Sequence, residues 1–150
     1  MTTQIRRLGP DDLALVVTAP ADLFDEPVRP EWAAAFLADP RHHLIGAIHQ
    51  GSLIGFTSSV DYLHPDKPRT LWINEVGVVD AHQRQGHGRA LMLATLAHGW
   101  AIGCAEAWVL TESGNQAARG LYAAAGGTAT PAARAAAGVI MYSFRPPSAK

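Results

Sequence analysis

Cysteine is nearly absent from this sequence, which has one among its 150 residues, Cys104. A single cysteine cannot form an internal disulfide, so the small disulfide-stapled scaffolds of secreted domains are excluded. Its neighbours Ile102, Gly103 and Ala105 predict a buried thiol rather than an exposed nucleophile. No histidine can be assigned to it as a partner from the sequence, which disfavours a covalent acyl-enzyme. The reducing cytoplasm is the environment that suits such a chain.

Clusters of charge and long apolar runs are also missing. The formal net charge is -1 and no run of Lys or Arg occurs, so the basic surface typical of nucleic-acid binding is not expected. The uncharged stretch 90–105 is too short, and too broken by His98 and Gly99, to span a bilayer, and residues 1–10 contain no apolar signal-peptide segment. We therefore expect a soluble cytoplasmic protein whose partners are small molecules, with no nucleic acid or membrane among them.

The histidines show no spacing typical of a metal site. Adjacent His42 and His43 would point to opposite faces of a strand, and no His-Glu-x-x-His motif occurs. We therefore expect no metal ion.

The sequence does contain an alternation of short strand and helix patterns that fits one domain over residues 1–150. Their order is strand, two helices, three strands, helix, strand, helix, strand, which predicts an α+β (mixed α/β) fold around a mixed, mostly antiparallel sheet. Gln50-Gly51 is expected to turn a hairpin. The predicted strands are 4–8, 43–49, 52–60, 71–79, 106–110 and 139–144, and the predicted helices begin at Pro10 or span 31–38, 86–102 and 114–125.

The long third helix is expected to bury one stripe of side chains, formed by Leu93, Leu96, Ala97 and Trp100. Gly126 and Gly127 are expected to end the fourth helix. The Ala-rich segment 128–138 that follows is interpreted as compositional bias rather than as a repeat.

The stretch 76–92 predicts an anion site, because it combines a strand, a turn with two glycines and a helix start. Gly86 and Gly88 would let the backbone approach a ligand closely, and the first N–H groups of a helix have no intrahelical partners. Arg84 and Arg89 add positive charge. A pyrophosphate group would satisfy such a turn.

The residues of this turn separate the known kinds of phosphate-binding loop. A P-loop is excluded, since Gly88 is followed by Arg89 rather than Lys. A dinucleotide fingerprint is disfavoured, since Leu91 stands where helix packing needs a small residue. The remaining pattern, Gln83-x-x-Gly86-x-Gly88 after a Val-rich strand, resembles the acetyl-CoA pyrophosphate loop of the GNAT superfamily of N-acetyltransferases. The element order also resembles the GNAT fold, although the pattern alone could be an ordinary glycine-rich turn.

The resemblance implies acetyl-CoA as the co-substrate and two groups of binding residues. The loop and helix start would hold the pyrophosphate through Arg84, Gln85, Gly86, His87, Gly88 and Arg89. The preceding strand would splay from its neighbour at a bulge, which Gly77 would tolerate. Its backbone would then bond the pantetheine arm at Val76, Val78 and Val79, while the side chains of these valines pack in the core.

Two residues of the fourth helix match positions of the GNAT pattern. Tyr122, in Leu-Tyr-Ala-Ala-Ala-Gly, matches the tyrosine that resembles a general acid toward the coenzyme thiolate. The alternative is a tyrosine whose ring packs in the core while its hydroxyl meets water. Asn115 resembles the asparagine that contacts the coenzyme arm, and its alternative is a helix cap.

Two glutamates are candidates for the base that takes a proton from the acceptor amine. Glu75 lies within a strand expected to be mostly buried, where desolvation would raise its pKa toward neutrality. The alternative is a structural or substrate-attracting carboxylate. Glu112, at the end of the next strand, would face the same cleft, and its alternative is a solvated strand end.

Separate pieces of the chain from Arg6 to Phe144 resemble the aminoglycoside 3-N-acetyltransferases. These pieces are R-x-L-G-P-D, D-L-F, P-R before the Glu75 strand, H-Q-R-Q-G and A-x-x-L-Y-x-x-x-G. The resemblance implies transfer to the 3-amino group of an aminoglycoside, hence antibiotic resistance, and the homodimer common in that family. The family has Asp at the positions of Glu75 and Glu112, and its loop around Asp25 and Glu26 differs.

A rim of acids is expected to attract the small cationic amine that accepts the acetyl group. Its members would be Asp25, Glu26, Asp61, Glu75 and Glu112. They could instead be ordinary surface acids. Other acceptors left open are a peptide N-terminus, a lysine side chain and a polyamine, and the alternative from a different class is a catalytically silent acetyl-CoA-binding module.

Overall fold

The computed structural model describes residues 2–130 and 138–148. Short 3₁₀ helices at Pro10–Asp12 and Asp80–His82 precede α1 and α3. The strands are β1 (Gln4–Leu8), β2 (His42–His49), β3 (Ser52–Tyr62), β4 (Thr70–Val78), β5 (Glu106–Glu112), β6 (Thr128–Ala129) and β7 (Val139–Phe144). The helices are α1 (Leu13–Val17), α2 (Pro30–Ala38), α3 (His87–Ala101) and α4 (Gln116–Ala124).

All the strands of the described residues belong to one sheet, in the order β1-β2-β3-β4-β5-β7-β6. Neighbouring strands are antiparallel except β4 and β5, which are parallel. This arrangement confirms the predicted α+β fold with a mixed, mostly antiparallel sheet. The predicted hairpin is also confirmed, with Gln50 and Gly51 at φ 50° and 76°, the left-handed values that a tight two-residue turn requires.

The helices cover opposite faces of the sheet. A Cβ at Gly55 of β3 would lie 3.0 Å from Leu91 of α3, whereas the next residue, Phe56, lines a cavity with Val16 of α1 and Phe36 of α2. Successive strand residues point to opposite faces, so α3 packs on one face and α1 and α2 on the other.

The buried side of α3 differs from the predicted stripe. The buried residues are Leu91, Met92, Thr95, Leu96 and Gly99, whereas Leu93 is 43% exposed and Ala97 is also exposed. The helix approaches β4 through Gly99, where a Cβ would lie 2.9 Å from Leu71 Cδ2. Thr95 is buried because its hydroxyl donates to the carbonyl of Leu91 at 2.8 Å. The predicted stripe is therefore correct at Leu96 and at the partly buried Trp100 and wrong at Leu93 and Ala97. A hydrophobicity pattern scores neither glycine nor threonine as apolar, so it missed Gly99 and Thr95.

The strand that follows the fourth helix was not predicted. Thr128–Ala129 forms β6 and pairs with β7 through Thr128↔Ser143. Gly126, at φ 96°, ends the turn after α4 as expected. Residues 131–137 of the Ala-rich segment lie outside the described residues.

Candidate active site

The sheet opens between β4 and β5. These strands pair only from Thr70↔Glu106 to Ile73↔Val109. Beyond that point β4 continues along β3, and β5 continues along β7. The second half of β4 therefore has a backbone edge that faces an opening instead of a neighbouring strand, as the GNAT resemblance implies.

The bulge that accompanies this opening lies at Asn74. Ser58 of β3 pairs with Glu75 and Ser59 pairs with Ile73, so Asn74 is the extra residue. The bulge expected at Gly77 is therefore misplaced by three residues. Gly77 is required for packing instead, since a Cβ there would lie 2.9 Å from Cε1 of Phe56.

A cavity of about 700 Å³ occupies the opening. Gly86 is the N-cap of α3 at φ 85°, a left-handed value that favours glycine. The side chain of Gln83 donates to the carbonyl of Val78 at 3.0 Å, which ties the turn to the end of β4. The cavity is lined by Val76, Val78, His82, Gln83, Arg84, Gly86, His87, Gly88, Arg89, Asn115, Ala117, Ala118, Leu121 and Tyr122.

The first N–H groups of α3 lie at this cavity, where helix geometry leaves them without intrahelical acceptors. The first intrahelical bond runs from Ala90 N–H to Gly86 O at 3.1 Å. Arg84 has φ 60°, an uncommon value for a residue with a side chain, within the same turn. The combination of free N–H groups and two arginines suits a phosphate-bearing ligand.

Two residues predicted to bind the cofactor lie elsewhere. Val79 is buried, and its N–H donates to the carbonyl of Ile54 at 2.9 Å. This N–H is therefore already bonded within the protein and does not face the cavity. Gln85 turns back toward the chain, with its side-chain amide 3.5 Å from the carbonyl of Ala81. Neither residue is among those that line the cavity. His82 lines the cavity and was missed. Gln83 also lines it and was predicted only as the first residue of the loop pattern, without a binding role.

Tyr122 and Asn115 both line the cavity of about 700 Å³, which we call the coenzyme-side cavity because the GNAT resemblance assigns acetyl-CoA to it. Tyr122 is 6% exposed, and burial raises the pKa of its phenol. A phenol with a raised pKa stays protonated and can donate to a thiolate. Asn115 is the N-cap of α4, where its Oδ1 accepts the N–H of Ala118 at 3.0 Å. The cap that was left open as an alternative is therefore present, in a residue that also borders the cavity.

A second cavity, of about 360 Å³, lies under α1 and α2 on the other face of the sheet. Three predicted acceptor-side acids meet here: Asp25, Glu26 and Glu75 line it together, and we call it the acid-lined cavity. Its walls are mostly apolar, and Phe24 stacks on Phe56 with ring centroids 4.4 Å apart. The other apolar lining residues are Val16, Pro27, Val28, Trp32, Ala33, Phe36, Leu37 and Leu44.

Glu75 is exposed, which corrects the expectation of a buried carboxylate. The reason is the opening of the sheet, because β5 no longer covers β4 after Ile73. The surrounding protein still removes part of the carboxylate's hydration, and this desolvation raises the pKa of Glu75. The negative charge of Asp25 raises it further. The predicted direction of the pKa therefore holds, although the residue is reached by water.

Glu112 lies apart from the three acids. It is exposed at the end of β5, where its backbone pairs with Val139 of β7. Alternation along β5 places it on the face opposite the buried Ala107 and Val109. It is not among the residues that line either cavity.

Asp61 does not belong to the acceptor rim. It is 6% exposed on the α3 side of the sheet, opposite the face that Ser58 presents to the acid-lined cavity. Its carboxylate accepts from His43 Nε2 at 2.7 Å and lies 3.7 Å from Arg41 Nε and 3.6 Å from Arg69 Nε. The prediction that Asp61 attracts the acceptor is therefore corrected, because these three partners engage it within the protein.

His43 has three polar partners, Asp61, His98 and Arg7. Its Nδ1 lies 3.0 Å from His98 Nε2 and 3.3 Å from Arg7 Nη2, both of which can donate. Nδ1 is therefore the acceptor, and the ring proton lies on Nε2, toward Asp61. Burial is the largest cause that lowers the pKa of both His43 and His98.

The single thiol lies inside the protein, as predicted. Cys104 is 4% exposed, and burial raises the pKa of its thiol. A protonated, buried thiol is a poor nucleophile. Among the described residues no group of three or more His, Cys, Asp and Glu side chains could hold a metal ion, and none of the described helices is long and apolar enough to cross a membrane.

Comparison with known families identifies the chain. Residues 13–126 match the acetyltransferase (GNAT) family. The chain is a GNAT acetyltransferase. Members of this family use acetyl-CoA as the acetyl donor, so the enzyme class and co-substrate expected from the glycine turn are confirmed. A search of curated proteins found no match.

Solved structures share the fold at low sequence identity. Arabidopsis thaliana NAA60 in complex with acetyl-CoA aligns with a TM-score of 0.77 at 16% identity, over 96% of this chain and 98% of that one. The ribosomal-protein-S18-alanine N-acetyltransferase of Escherichia coli aligns at 0.71 and 20% identity, over 99% and 97%. An aminoglycoside acetyltransferase from an uncultured soil metagenomic sample, in complex with sisomicin, aligns at 0.72 and 20% identity, over 82% and 86%. The TM-scores show a common fold, and at these identities the acceptor has to be argued from the site.

Proposed function

We propose that this acetyltransferase transfers the acetyl group of acetyl-CoA to a small cationic amine at the opening between β4 and β5. The observation that carries the proposal is the position of two consecutive residues of β4. Val76 lines the cavity with the glycine turn and Tyr122, whereas Glu75 lines the cavity with the acids. A thioester at Val76 and an amine at Glu75 would lie on adjacent residues of one strand.

The side chains present supply the proton transfers that the reaction needs. Glu75, with its raised pKa, takes a proton from the ammonium group of the acceptor, directly or through water. The amine nitrogen then attacks the thioester carbonyl and forms the new C–N bond. The C–S bond breaks, and the phenol of Tyr122 donates its proton to the departing thiolate. The nitrogen loses its second proton, which passes through water to the phenolate of Tyr122 and restores the phenol, while Glu75 releases the first proton to solvent. Coenzyme A and the acetylated amine are released.

An aminoglycoside, acetylated at its 3-amino group, is the acceptor that we propose first. Asp25, Glu26 and Glu75 lie together at one cavity and would attract a polycation. Glu112 lies outside this cavity, on the exposed end of β5, where only a larger polycation would reach it as well. The similarity in fold to the aminoglycoside acetyltransferase bound to sisomicin fits this acceptor without selecting it.

A peptide N-terminus is the second candidate, and the apolar wall of the acid-lined cavity favours it. Phe24, Val28, Phe36 and Phe56 leave little polar surface for the hydroxyl groups of a sugar. An apolar first side chain would fill this space while its α-amine lies at Glu75. Lysine side chains and polyamines match only the negative charge of the cavity and not its apolar wall.

A competition experiment distinguishes these acceptors. Aminoglycosides, peptides with apolar or polar first residues, and polyamines are offered singly and in pairs, and release of free thiol from acetyl-CoA is measured. Preference for aminoglycosides supports the first candidate, and preference for apolar peptide N-termini supports the second. Tight acetyl-CoA binding without thiol release for any amine would contradict the proposal and favour a catalytically silent binding module.

A further inference from the structure

Three imidazole rings lie in a row beside the coenzyme-side cavity. They belong to His49 at the end of β2, His82 in the 3₁₀ helix and His87 at the start of α3. The ring centroids of His49 and His82 are 5.1 Å apart, and those of His82 and His87 are 6.1 Å apart. We call these residues the histidine cluster. His82 and His87 line the coenzyme-side cavity, and His49 and His82 line an adjoining cavity of about 310 Å³.

The groups around the histidine cluster include positively and negatively charged side chains. Arg84 and Arg89 line the coenzyme-side cavity with it, and Asp22 lines the adjoining one. The Asp22 carboxylate accepts the N–H of Asp80 at 2.9 Å, and the Asp80 carboxylate accepts from the Gln83 amide at 3.2 Å.

Neither of these acids is within ion-pair distance of a ring of the cluster. His49 Nδ1 lies 3.2 Å from the hydroxyl of Thr3. The ion pairs found within residues 2–130 and 138–148 join no carboxylate to His49, His82 or His87.

The surroundings of His87 within the protein disfavour its charged form. Burial is the largest cause that lowers the pKa of His87, and the neighbouring rings of His82 and His49 lower it further. A phosphate group reverses this balance, because its negative charge stabilises imidazolium and its oxygens accept N–H bonds.

We propose that the histidine cluster binds phosphate groups of the coenzyme and takes up protons from solvent when they bind. The inference rests on the proposed function, because it assigns acetyl-CoA to this cavity. Linkage gives the direction in which the affinity for acetyl-CoA depends on pH. A ligand that favours the protonated rings binds more tightly as pH falls, and the increase in affinity levels off once the rings of the free protein are protonated too. For histidine this change in affinity falls between about pH 8 and pH 5. One linked proton changes the affinity by at most about tenfold per pH unit.

The test is calorimetry of acetyl-CoA binding at several pH values, in buffers with different ionisation enthalpies, which gives the number of protons taken up. Uptake is expected in the wild type and is expected to fall in His82→Gln and His87→Gln, two variants that keep a polar side chain without the charge. His64→Gln is the matched control, because His64 is an exposed histidine outside the cluster, bonded to Thr70 at 3.4 Å. Circular dichroism verifies that each variant is folded.

The outcomes separate this inference from the proposed function. Acetyl-CoA binding without proton uptake, or uptake that persists in both cluster variants, would overturn the inference and leave the proposed function intact. A folded wild type that binds no acetyl-CoA at any pH would overturn both. Repeating the titration with 3′-dephospho-CoA identifies the phosphate: retained uptake assigns the cluster to the pyrophosphate, and lost uptake assigns it to the 3′-phosphate.

Discussion

Replacing Glu75 by Gln is expected to lower kcat while the affinity for acetyl-CoA stays the same. Glutamine keeps the size of the side chain but cannot take a proton from the acceptor ammonium. General acid–base catalysis contributes about 10²- to 10⁴-fold. Because Glu75 is exposed, water reaches the amine and replaces part of its function. We therefore expect a loss at the lower end of this range, about 10²-fold.

The pH dependence provides a second check on the same residue. The base must be ionised, so kcat/KM should fall on the acidic side around the pKa of Glu75, which desolvation and then the charge of Asp25 raise. Asp25→Asn removes that charge, lowers the pKa of Glu75 and should move the acidic limb of the profile to lower pH. Asp66→Asn is the control, because Asp66 is exposed and paired with Lys67 at 2.6 Å.

The assay is thiol release under steady-state conditions across the pH range, with the preferred acceptor from the competition experiment. A wild-type kcat in Glu75→Gln would refute the assignment of Glu75 as the base. An acidic limb that does not move in Asp25→Asn, or that moves equally in Asp66→Asn, would refute the electrostatic part of the reasoning.

Four further predictions concern other parts of the molecule. Tyr122→Phe should lower turnover about 10- to 1000-fold with nearly unchanged acetyl-CoA affinity, and a wild-type rate would leave Tyr122 as a core residue. Gly86→Val should abolish acetyl-CoA binding in calorimetry while the fold survives, because φ 85° is strained for valine and its side chain would enter the cavity. Glu112→Gln should mainly raise KM for a polycationic acceptor, more at low than at high salt. Stability in urea should fall as pH drops below about 6.5, since His43 and His98 have lowered folded-state pKa values and the unfolded chain binds more protons there; a flat profile would contradict this.

The parts of the fold that depend on local chemistry could be predicted from the sequence. The glycine turn, the Asn115 cap and the Gln50-Gly51 hairpin each require particular residues at particular positions, and each lies where it was expected. The order of the elements followed from the same signals. Such features are encoded within a few residues, so a single sequence is sufficient to locate them.

Features that depend on contacts between distant segments were harder to predict. The bulge lies at Asn74 because of the pairing between β3 and β4, whereas Gly77 gave a misleading local signal. Asp61 is acidic like the members of the rim, but its position on β3 sends it to the opposite face, where His43 binds it. The buried face of α3 follows from close contact at Gly99, which composition does not reveal.

The acceptor side also depends on contacts between distant segments. Asp25 and Glu75 are separated by one helix and two strands in the sequence, yet they line one cavity. The apolar wall of that cavity is formed by residues from α1, α2, β2 and β3 together, so no motif indicates it. It is this wall that introduces a peptide N-terminus as a competitor to the aminoglycoside.

The central claim is that an amine at Glu75 receives the acetyl group of a thioester at Val76, with Tyr122 as the proton donor. The most direct measurement is a single-turnover experiment with wild-type enzyme, acetyl-CoA and the preferred amine, in which free thiol and acetylated amine are quantified together. The account predicts equal amounts of the two products at every time point, formed more slowly by Glu75→Gln and Tyr122→Phe. Thiol release without acetylated amine, or wild-type rates in both variants, would contradict it.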